Sequence, residues 1–328
     1  MMRLPTDQTA RRRMLLFLFA GALVPALGGC LHRHPPMRVG SIVFPGYESF
    51  FLARERGILN SAEIRLVELY SSTDTLRALA ADQLEVGCLT LDEVLSARAD
   101  GVDLRVILVL DESAGADVVM TRKPLSSLSD LRGKRIALEE TAVGGVMLAA
   151  LLRAAELSVG DIVQVATTQD QTAALFAKGT VDAVVTTEPW ASQIEAAGGT
   201  RLFDSKAIPG RILDVLAVRA GAMADYDSAL RSLVAAHFQA LDLLAREPEL
   251  AAQLMAPRLQ INPVDVPASF RGLDLPSVRR NIDMLAPGGS LFRTVDELQT
   301  VMLRDGLLSR RLQRGDLIDG GFLKAASS

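Results

Sequence analysis

Acidic side chains stand beside several apolar, strand-like segments of this sequence. Asp111 follows LRVILVL, Glu188 follows AVVTT, Asp214 lies in ILDVLAVRA, and Glu48 closes the turn FPGYE. A carboxylate directly after a buried strand is unfavourable unless it has a partner, so these positions favour a ligand or a nearby arginine. We find no arginine or lysine in the same loops. The four carboxylates therefore favour a ligand with a positive or donor-rich group.

A second group of candidate binding residues lies where predicted strands end or helices begin. It comprises Tyr47, Ser72, Thr73, Thr90, Ser113, Thr141, Gly144, Gly145 and Trp190. In EETAVGGVMLAALL a strand passes through a small polar turn into a helix, whose free N–H groups favour an anion. Ordinary turns and helix caps also explain the hydroxyls and glycines, and core packing also explains Trp190, the only tryptophan.

Motifs of common enzyme and metal sites are absent from the sequence, which contains no HExxH, GxSxG, paired CxxC or Walker string. His32 and His34 lie in a polar N-terminal stretch and His237 in an amphipathic helix, so we expect no metal and no cofactor. The net charge of −4 argues against nucleic acid as a partner. Scarce aromatic residues, 5% of the chain, argue against extended carbohydrate or oligonucleotide stacking surfaces.

The N-terminus has the three parts of a secretory signal. A basic segment ending in Arg13 precedes an uncharged apolar run from Met14 to Leu27, which is shorter than the roughly 20 residues of a membrane-spanning helix. The following LGGC resembles a bacterial lipobox, with Cys30 as the lipid acceptor; an uncleaved anchor helix is the alternative. We expect residues 1–29 to be a signal peptide, residues 30–36 a tether, and Cys88 a small buried residue.

Strand-like and helix-like segments alternate from Met37 onward. MRVGSIV, EIRLVELY, EVGCLT and LRVILVL read as strands, separated by helical segments of about ten residues; Ser72 or Thr73 caps one of these helices. Such alternation predicts an α/β fold with mostly parallel sheets and helices on both faces. From Asp227 onward the pattern is mostly helical, and we expect this tail to pack around the first lobe.

An internal repeat predicts two similar lobes. Residues 78–93 (ALAADQLEVGCLTLDE) align with residues 175–190 (LFAKGTVDAVVTTEPW) at a constant offset of 97. The offset matches Leu84 to Val181 and Glu85 to Asp182, and it places Thr90 on Thr187 at the two strand ends. The length remaining after the signal is sufficient for two separate cores.

The chain resembles the solute-binding proteins of bacterial ABC importers of the nitrate, sulfonate and taurine class, which includes relatives that bind thiamine pyrimidine precursors. The matching strings are RVGSIVFPGYESFFLARERGIL, GCLTLDEVLSARADGVDLRVILVLDESAGADVVM, LSDLRGKRIALEE, LFAKGTVDAVVTTEPW and the lipobox. The resemblance covers about residues 37–220, with a weaker match through the helical tail.

The resemblance implies the type II periplasmic binding protein fold, in which ligand closes two α/β lobes joined by two crossings. It implies a first lobe at 37–118, a second at 119–215, and a return with C-terminal helices at 216–328. The crossings are expected near Ala116–Thr121 and Ile212–Val218. The candidate residues named above would face the cleft, although Asp214 could equally be a hinge or structural residue.

The resemblance further implies a non-enzymatic, monomeric lipoprotein anchored at the membrane and facing the periplasm, or the cell surface in an organism with a single membrane. Its partners would be a small-molecule solute, an ABC permease and its ATPase. The ligand would be zwitterionic or amine-bearing, such as a taurine-like, sulfonate-like or pyrimidine-like compound. The alternatives are a ligand sensor without a transporter and an enzyme of the pyrimidine-synthesis type.

Overall fold

A computed structural model describes residues 34–140, 142–313 and 315–326 of the chain. The predicted signal peptide, Cys30 and most of the tether lie outside the described residues. The account below concerns the compact unit that begins at Pro35. Within the described residues, no helix is both long enough and apolar enough to cross a bilayer.

The strands lie mainly where the alternating pattern predicts them. They are β1 (Met37–Ser41), β2 (Ile64–Glu68), β3 (Val86–Thr90), β4 (Leu104–Ser113), β5 (Val118–Thr121), β6 (Arg135–Leu138), β7 (Val163–Ala166), β8 (Ala183–Thr186), β9 (Thr200–Asp204), β10 (Leu213–Arg219) and β11 (Leu273–Asp274). Strands β3, β5 and β8 are buried along their whole length, as expected of segments covered on both faces.

Helices follow most of these strands and form the C-terminal region. They are α1 (Glu48–Glu55), α2 (Ser72–Ala80), α3 (Leu91–Ala99), α4 (Ala142–Ala154), α5 (Thr172–Lys178), α6 (Trp190–Ala196), α7 (Asp227–Arg246), α8 (Pro248–Leu259), α9 (Val266–Ser269), α10 (Val278–Leu285) and α11 (Ser290–Arg304). The cap of α2 is Ser71, whose side chain accepts from the Asp74 N–H at 3.0 Å, and not Ser72 or Thr73 as predicted. The sequence does not distinguish these positions, because the hydroxyl of Ser71, Ser72 or Thr73 could cap the helix equally well.

The strands form two sheets. The first runs β11-β4-β10-β3-β1-β2, and the second, given in the equivalent direction, runs β9-β5-β8-β6-β7. Apart from the additional β11, the two sheets therefore have the same strand order. Lobe 1 is the first sheet with its helices (residues 37–113 and 213–326), and lobe 2 is the second (residues 118–204). In each lobe, three strands pair in parallel and the remaining strands pair antiparallel. The α/β prediction is therefore confirmed: four strands of each sheet run in the same direction, and the strands of opposite direction are β10 and β11 in lobe 1 and β5 in lobe 2.

The mixed pairing has a simple cause. Strand β5 enters lobe 2 from lobe 1, and β10 returns to lobe 1 from lobe 2, and each inserts antiparallel next to the central strand of its sheet. The segments that join the sheets are residues 114–117 and 205–212. The predicted crossings lie a few residues further along the chain, because Val118–Thr121 and Leu213–Arg219 already pair as strands.

The repeat predicted at an offset of 97 corresponds to equivalent contacts in the two lobes. The Arg38 N–H donates to Oε2 of Glu85 at 2.7 Å in lobe 1, and the Arg135 N–H donates to Oδ2 of Asp182 at 2.8 Å in lobe 2. Both pairs of positions are separated by the same 97 residues. In each lobe this contact fixes the start of the central strand, β3 or β8, against its parallel neighbour.

The C-terminal helices pack on lobe 1, as the tail pattern predicts. Helix α7 packs on α1, where Nδ1 of the buried His237 lies 2.8 Å from Oγ of Ser49. Burial lowers the pKa of His237 to about 3, so this imidazole is neutral. His237 is therefore part of the helix packing and lies apart from the cleft.

Candidate functional site

Loops from both lobes enclose a cavity of about 30 Å³, here called the inner cavity. Its walls are Ile42, Phe44, Tyr47, Ser72, Thr90, Asp117, Glu139, Val143, Gln169, Thr187 and Asp214. Three pairs among them, Ile42 with Glu139, Ser72 with Gln169, and Thr90 with Thr187, are related by the offset of 97. The two lobes therefore present equivalent strand ends and helix starts to one enclosed space, as open α/β sheets do at their ligand sites.

Two carboxylates of the inner cavity come from the ends of the segments that join the lobes. Asp117 closes the first joining segment and Asp214 opens β10. Burial raises the pKa of Asp117 to about 6, although a hydrogen bond with Ser113 acts in the opposite direction. The Tyr47 hydroxyl donates to Oδ1 of Asp214. Burial raises the pKa of Asp214, and the negative charge of the neighbouring Asp111 raises it further.

Asp111 lies behind the cavity wall and faces Asp214 as its partner across β4 and β10. It is fully buried, and neither of its carboxylate oxygens accepts a hydrogen bond from a donor in the described residues. Burial raises the pKa of Asp111. Two carboxylates so close together cannot easily both ionise, so the pair favours a shared proton or a cation.

The turn before α1 leaves space for Asp111 because residue 46 is glycine. A Cβ atom built on Gly46 would lie 2.0 Å from Oδ2 of Asp111, which is far inside van der Waals contact. Any larger residue at this position would displace either the carboxylate or the turn that carries Tyr47. The glycine of FPGYE is thus a condition for bringing Asp111 and Tyr47 to the same place.

Further carboxylates already occupy helix starts beside the cavity. Oε2 of Glu93 accepts from the Thr90 N–H at 2.9 Å at the start of α3. Burial raises the pKa of Glu93 and of Asp92, and neither oxygen of Asp92 has a donor among the described residues. A negative ligand group at the start of α3 would therefore meet a carboxylate of the chain itself.

Glu139 reaches across from lobe 2 to the start of α2 in lobe 1. Its Oε1 accepts from the backbone N–H and from the hydroxyl of Thr73, each at 3.3 Å. Burial raises the pKa of Glu139, whereas the hydrogen bonds from Thr73 act to lower it. The start of α2, where a free anion would otherwise bind favourably, thus holds a carboxylate, and the two lobes touch through this contact.

Two of the predicted binding carboxylates are paired with arginines that the local sequence does not show. Glu48 forms a buried ion pair with Arg258 of α8, and Oε1 of Glu188 lies 2.8 Å from Nη2 of Arg201 in β9. Of the two partners expected for such carboxylates, a ligand or a nearby arginine, Glu48 and Glu188 have the arginine, and they are therefore not available to a positive ligand group. In the described part of the chain, the walls of the inner cavity include no lysine or arginine.

The structure brings together some of the predicted site residues and separates others. Tyr47, Ser72, Thr90 and Asp214 line the inner cavity, Thr73 contacts its wall, and Trp190 lines a second cavity at the cleft. Asp111 is not part of this wall but is the strand partner of Asp214, which is. The Ser113 hydroxyl lies 2.7 Å from that of Ser205 and links the two joining segments. Gly144 packs on the carbonyl of Glu139 and Gly145 on Leu307, while Thr141 lies outside the described residues.

Sequence reasoning missed Asp117, Glu139, Gln169 and Thr187 as cavity residues, along with the apolar Ile42, Phe44 and Val143. The repeat offered a usable signal for three of them, since Glu139, Gln169 and Thr187 are the counterparts of positions at the strand ends of lobe 1. Asp117 had no such signal, because it lies in a joining segment whose direction depends on how the lobes pack.

The thiol of Cys88 is buried in β3, as predicted, and lies outside the cavity wall. Burial raises its pKa far above the usual range. A reactive thiolate requires a lowered pKa and access to the reagent. Cys88 therefore serves packing, consistent with its place among the buried residues of the strand.

Comparison with known sequences identifies a matching family model and relatives that are named for sulfonate binding. A model of the NMT1-like family matches residues 32–258. A protein of Escherichia coli (strain K12) named as aliphatic sulfonates-binding is 27% identical over 144 residues, which is 43% of this chain and 45% of the relative. One of the same name from Bacillus subtilis (strain 168) is 25% identical over 186 residues, 54% of this chain and 55% of the relative. The chain thus spans about half the length of these relatives.

Solved structures share the fold over most of the chain. The alkanesulfonate-binding protein SsuA from Xanthomonas axonopodis pv. citri, bound to MOPS, superposes with a TM-score of 0.69 at 20% identity, covering 87% of this chain and 99% of that one. The desulfurization enzyme DszB superposes with a TM-score of 0.63 at 18% identity, covering 90% and 99%. The fold is therefore that of type II periplasmic binding proteins, and it also occurs in an enzyme.

Proposed function

This chain belongs to the NMT1-like family, and on that basis we propose that it is the solute-binding component of an ABC import system. Its ligand is a small amine-bearing or zwitterionic organic solute, captured between the lobes as they close about residues 114–117 and 205–212. The import role draws on the sulfonate-binding relatives. The ligand class draws on the chemistry of the inner cavity.

The observation that carries the ligand class is the charge of the cavity wall. Asp117, Glu139 and Asp214 line it from both lobes, with Asp111 directly behind, and the described wall holds no basic residue. A protonated amine would supply positive charge and hydrogen-bond donors to these acceptors. Such charge-assisted hydrogen bonds are stronger than hydrogen bonds between neutral groups. A bare anion would be repelled.

The size of the inner cavity agrees with an amine group. A cavity must offer roughly 10–15 Å³ to hold one water molecule, so about 30 Å³ accommodates about two non-hydrogen atoms. An ammonium group and its first carbon atom fit this space. A sulfonate would meet Glu139 and Glu93 at the starts of α2 and α3, which leaves the start of α4 as the position for an acidic group.

A zwitterionic solute would use a second feature of the same site. Helix α4 begins beside the cavity, where Val143 is part of the wall. Backbone N–H groups in the first turn of a helix bind negative groups. The acidic group of a taurine-like compound would meet this helix start while its amine meets Asp117 and Asp214.

A ligand screen tests the proposal directly. We expect methylamine, taurine and larger amines to raise the melting temperature of the full-length protein, while nitrate and methanesulfonate leave it unchanged. A ligand that binds only the native state at 100 times its dissociation constant stabilises the protein by about 2.7 kcal/mol. Stabilisation by the simple anions alone would replace this proposal with a plain sulfonate or nitrate binder.

Membrane anchoring is part of the proposal and depends on the sequence, since Cys30 lies outside the described residues. We propose that Cys30 is lipidated and begins the mature protein, which then faces the periplasm, or the cell surface in an organism with a single membrane. The chain acts as a monomer that delivers solute to a permease driven by an ATPase. Dual acylation would be sufficient for stable anchoring.

Mass spectrometry of protein extracted from membranes is expected to show an N-terminus at Cys30 carrying acyl chains. The variant Cys30→Ala should remain as an uncleaved precursor, because the thiol is the lipid acceptor on which processing depends. The variant Cys88→Ala is the matched control and should be processed normally. An unmodified Cys30 still joined to Gly29 would contradict the lipoprotein assignment.

A further inference from the structure

A second cavity of about 290 Å³, here called the outer cavity, lies at the mouth of the cleft. It is lined by both lobes and by neighbouring positions of loops that also form the inner cavity. Ile42 and Gln169 of the inner cavity are directly followed by Val43 and Asp170 of the outer one, and Thr187 of the inner cavity is two positions before Pro189 of the outer one. A solute whose amine occupies the inner cavity would therefore extend into the outer one.

Two aromatic side chains line the outer cavity, one from each lobe. Tyr70 lies in lobe 1 between β2 and α2, and Trp190 begins α6 in lobe 2. Tyr70 is 79% exposed, which makes it one of the few large apolar side chains left open to water in the described residues. An exposed aromatic ring at the mouth of a ligand cleft offers a flat surface that a ligand can cover.

One carboxylate of the outer cavity, that of Glu68, has a basic partner, whereas the described wall of the inner cavity includes no lysine or arginine. Oε2 of Glu68 accepts from Nε of Arg258 at 2.7 Å, and Oδ2 of Asp170 accepts from Nε2 of Gln171 at 2.8 Å. Arg258 offsets the charge of Glu68, whereas the neutral amide of Gln171 leaves the charge of Asp170 in place. The inner cavity, with no basic residue in its described wall, remains the place for the positive group of the solute.

We propose that the outer cavity binds a flat aromatic or heteroaromatic ring of the solute, held between Tyr70 of lobe 1 and Trp190 of lobe 2. The solute is then an aryl-alkyl amine, with its ammonium group in the inner cavity and its ring at the mouth. The amides of Gln193 and Gln260, which also line the outer cavity, are available for ring nitrogens or hydroxyls. This inference rests on the proposed function and specifies the solute class of the same site.

Calorimetric titration of the full-length protein with three amines tests the inference. The probes are methylamine, benzylamine and cyclohexylmethylamine, the last being the saturated match of benzylamine. We expect benzylamine to bind about two- to tenfold more tightly than cyclohexylmethylamine, the increment that aromatic contacts provide beyond buried area. The variant Tyr70→Ala should reduce this preference, measured as the ratio of the affinities for benzylamine and cyclohexylmethylamine, because it leaves Trp190 as the only aromatic side chain of the two.

The variant Val264→Ala is the matched control, because Val264 is 82% exposed and lies outside both cavities. It should retain the preference for benzylamine. If all three amines bind but the aromatic ring confers no advantage, or if Tyr70→Ala weakens all of them equally, the inference about the outer cavity is wrong and the amine-binding function stands. If no amine binds, the proposed function fails and this inference fails with it.

Discussion

Replacing Asp117 by asparagine is expected to weaken the binding of a small amine by about ten- to a hundredfold. Asp117 lines the inner cavity, and its pKa of about 6 leaves it ionised at pH 7.5. A hydrogen bond between charged groups contributes roughly 1.5–3 kcal/mol, which corresponds to this change in affinity. Asparagine keeps the shape of the side chain and removes its charge. Calorimetric titration with methylamine and taurine measures the loss.

The control variant Asp100→Asn makes the same chemical change at an exposed position at the end of α3. We expect it to bind amines as the unaltered protein does. The variant Asp214→Asn should also weaken amine binding, since Asp214 lines the same wall and accepts the Tyr47 hydroxyl. Unchanged amine affinity in Asp117→Asn, together with new binding of methanesulfonate, would show that the carboxylates are structural or repulsive.

The ligand-free protein is expected to lose stability as the pH rises from about 6.5 to 8, above the range in which the lowered pKa of His237 acts in the opposite direction. Burial raises the pKa values of Asp92, Glu93, Asp111, Asp117 and Asp214 above those of the unfolded chain. The folded state therefore binds more protons than the unfolded state across this range. Stability from such groups is fully present below the unfolded pKa, near 4, and is lost as the pH rises through the folded pKa.

The size of this loss follows from the shift of a single group. One carboxylate whose pKa is raised by two units accounts for about 2.7 kcal/mol, which lowers the melting temperature of a chain of this length by roughly 4 °C. Calorimetric melting at pH 6.5 and pH 8 measures the effect. A saturating amine should reduce the fall, because its positive charge favours the ionised carboxylates, and amine affinity should rise over the same pH range.

Surface charge also varies with pH, so a variant must separate the two contributions. Asp214→Asn removes one buried titrating group and should make the fall with pH shallower, whereas the exposed Asp100→Asn should leave its slope unchanged. Stability that stays level or increases between pH 6.5 and pH 8 in the ligand-free protein would contradict the assignment of raised pKa values to the cavity carboxylates.

The sequence by itself determined the elements and their grouping into two lobes. Local patterns were sufficient, because a strand such as β3 and the capping arrangement of Thr90 and Glu93 depend on residues within a few positions of one another. The repeat at an offset of 97 also predicted equivalent strand ends. It aligns Thr187 with Thr90, and both line the inner cavity, although only Thr90 was predicted as a binding residue.

Only the tertiary structure decided which carboxylates are available to a ligand. Glu48 and Asp111 look alike in sequence, since each follows a strand. Yet Arg258, 210 positions along the chain, neutralises Glu48, while Asp111 meets a second acid, Asp214, across the sheet. Asp117 reaches the cavity because the joining segments lie side by side. The physical reason is that the charge state of a buried group depends on the neighbours that folding brings to it, and those neighbours are distant in sequence.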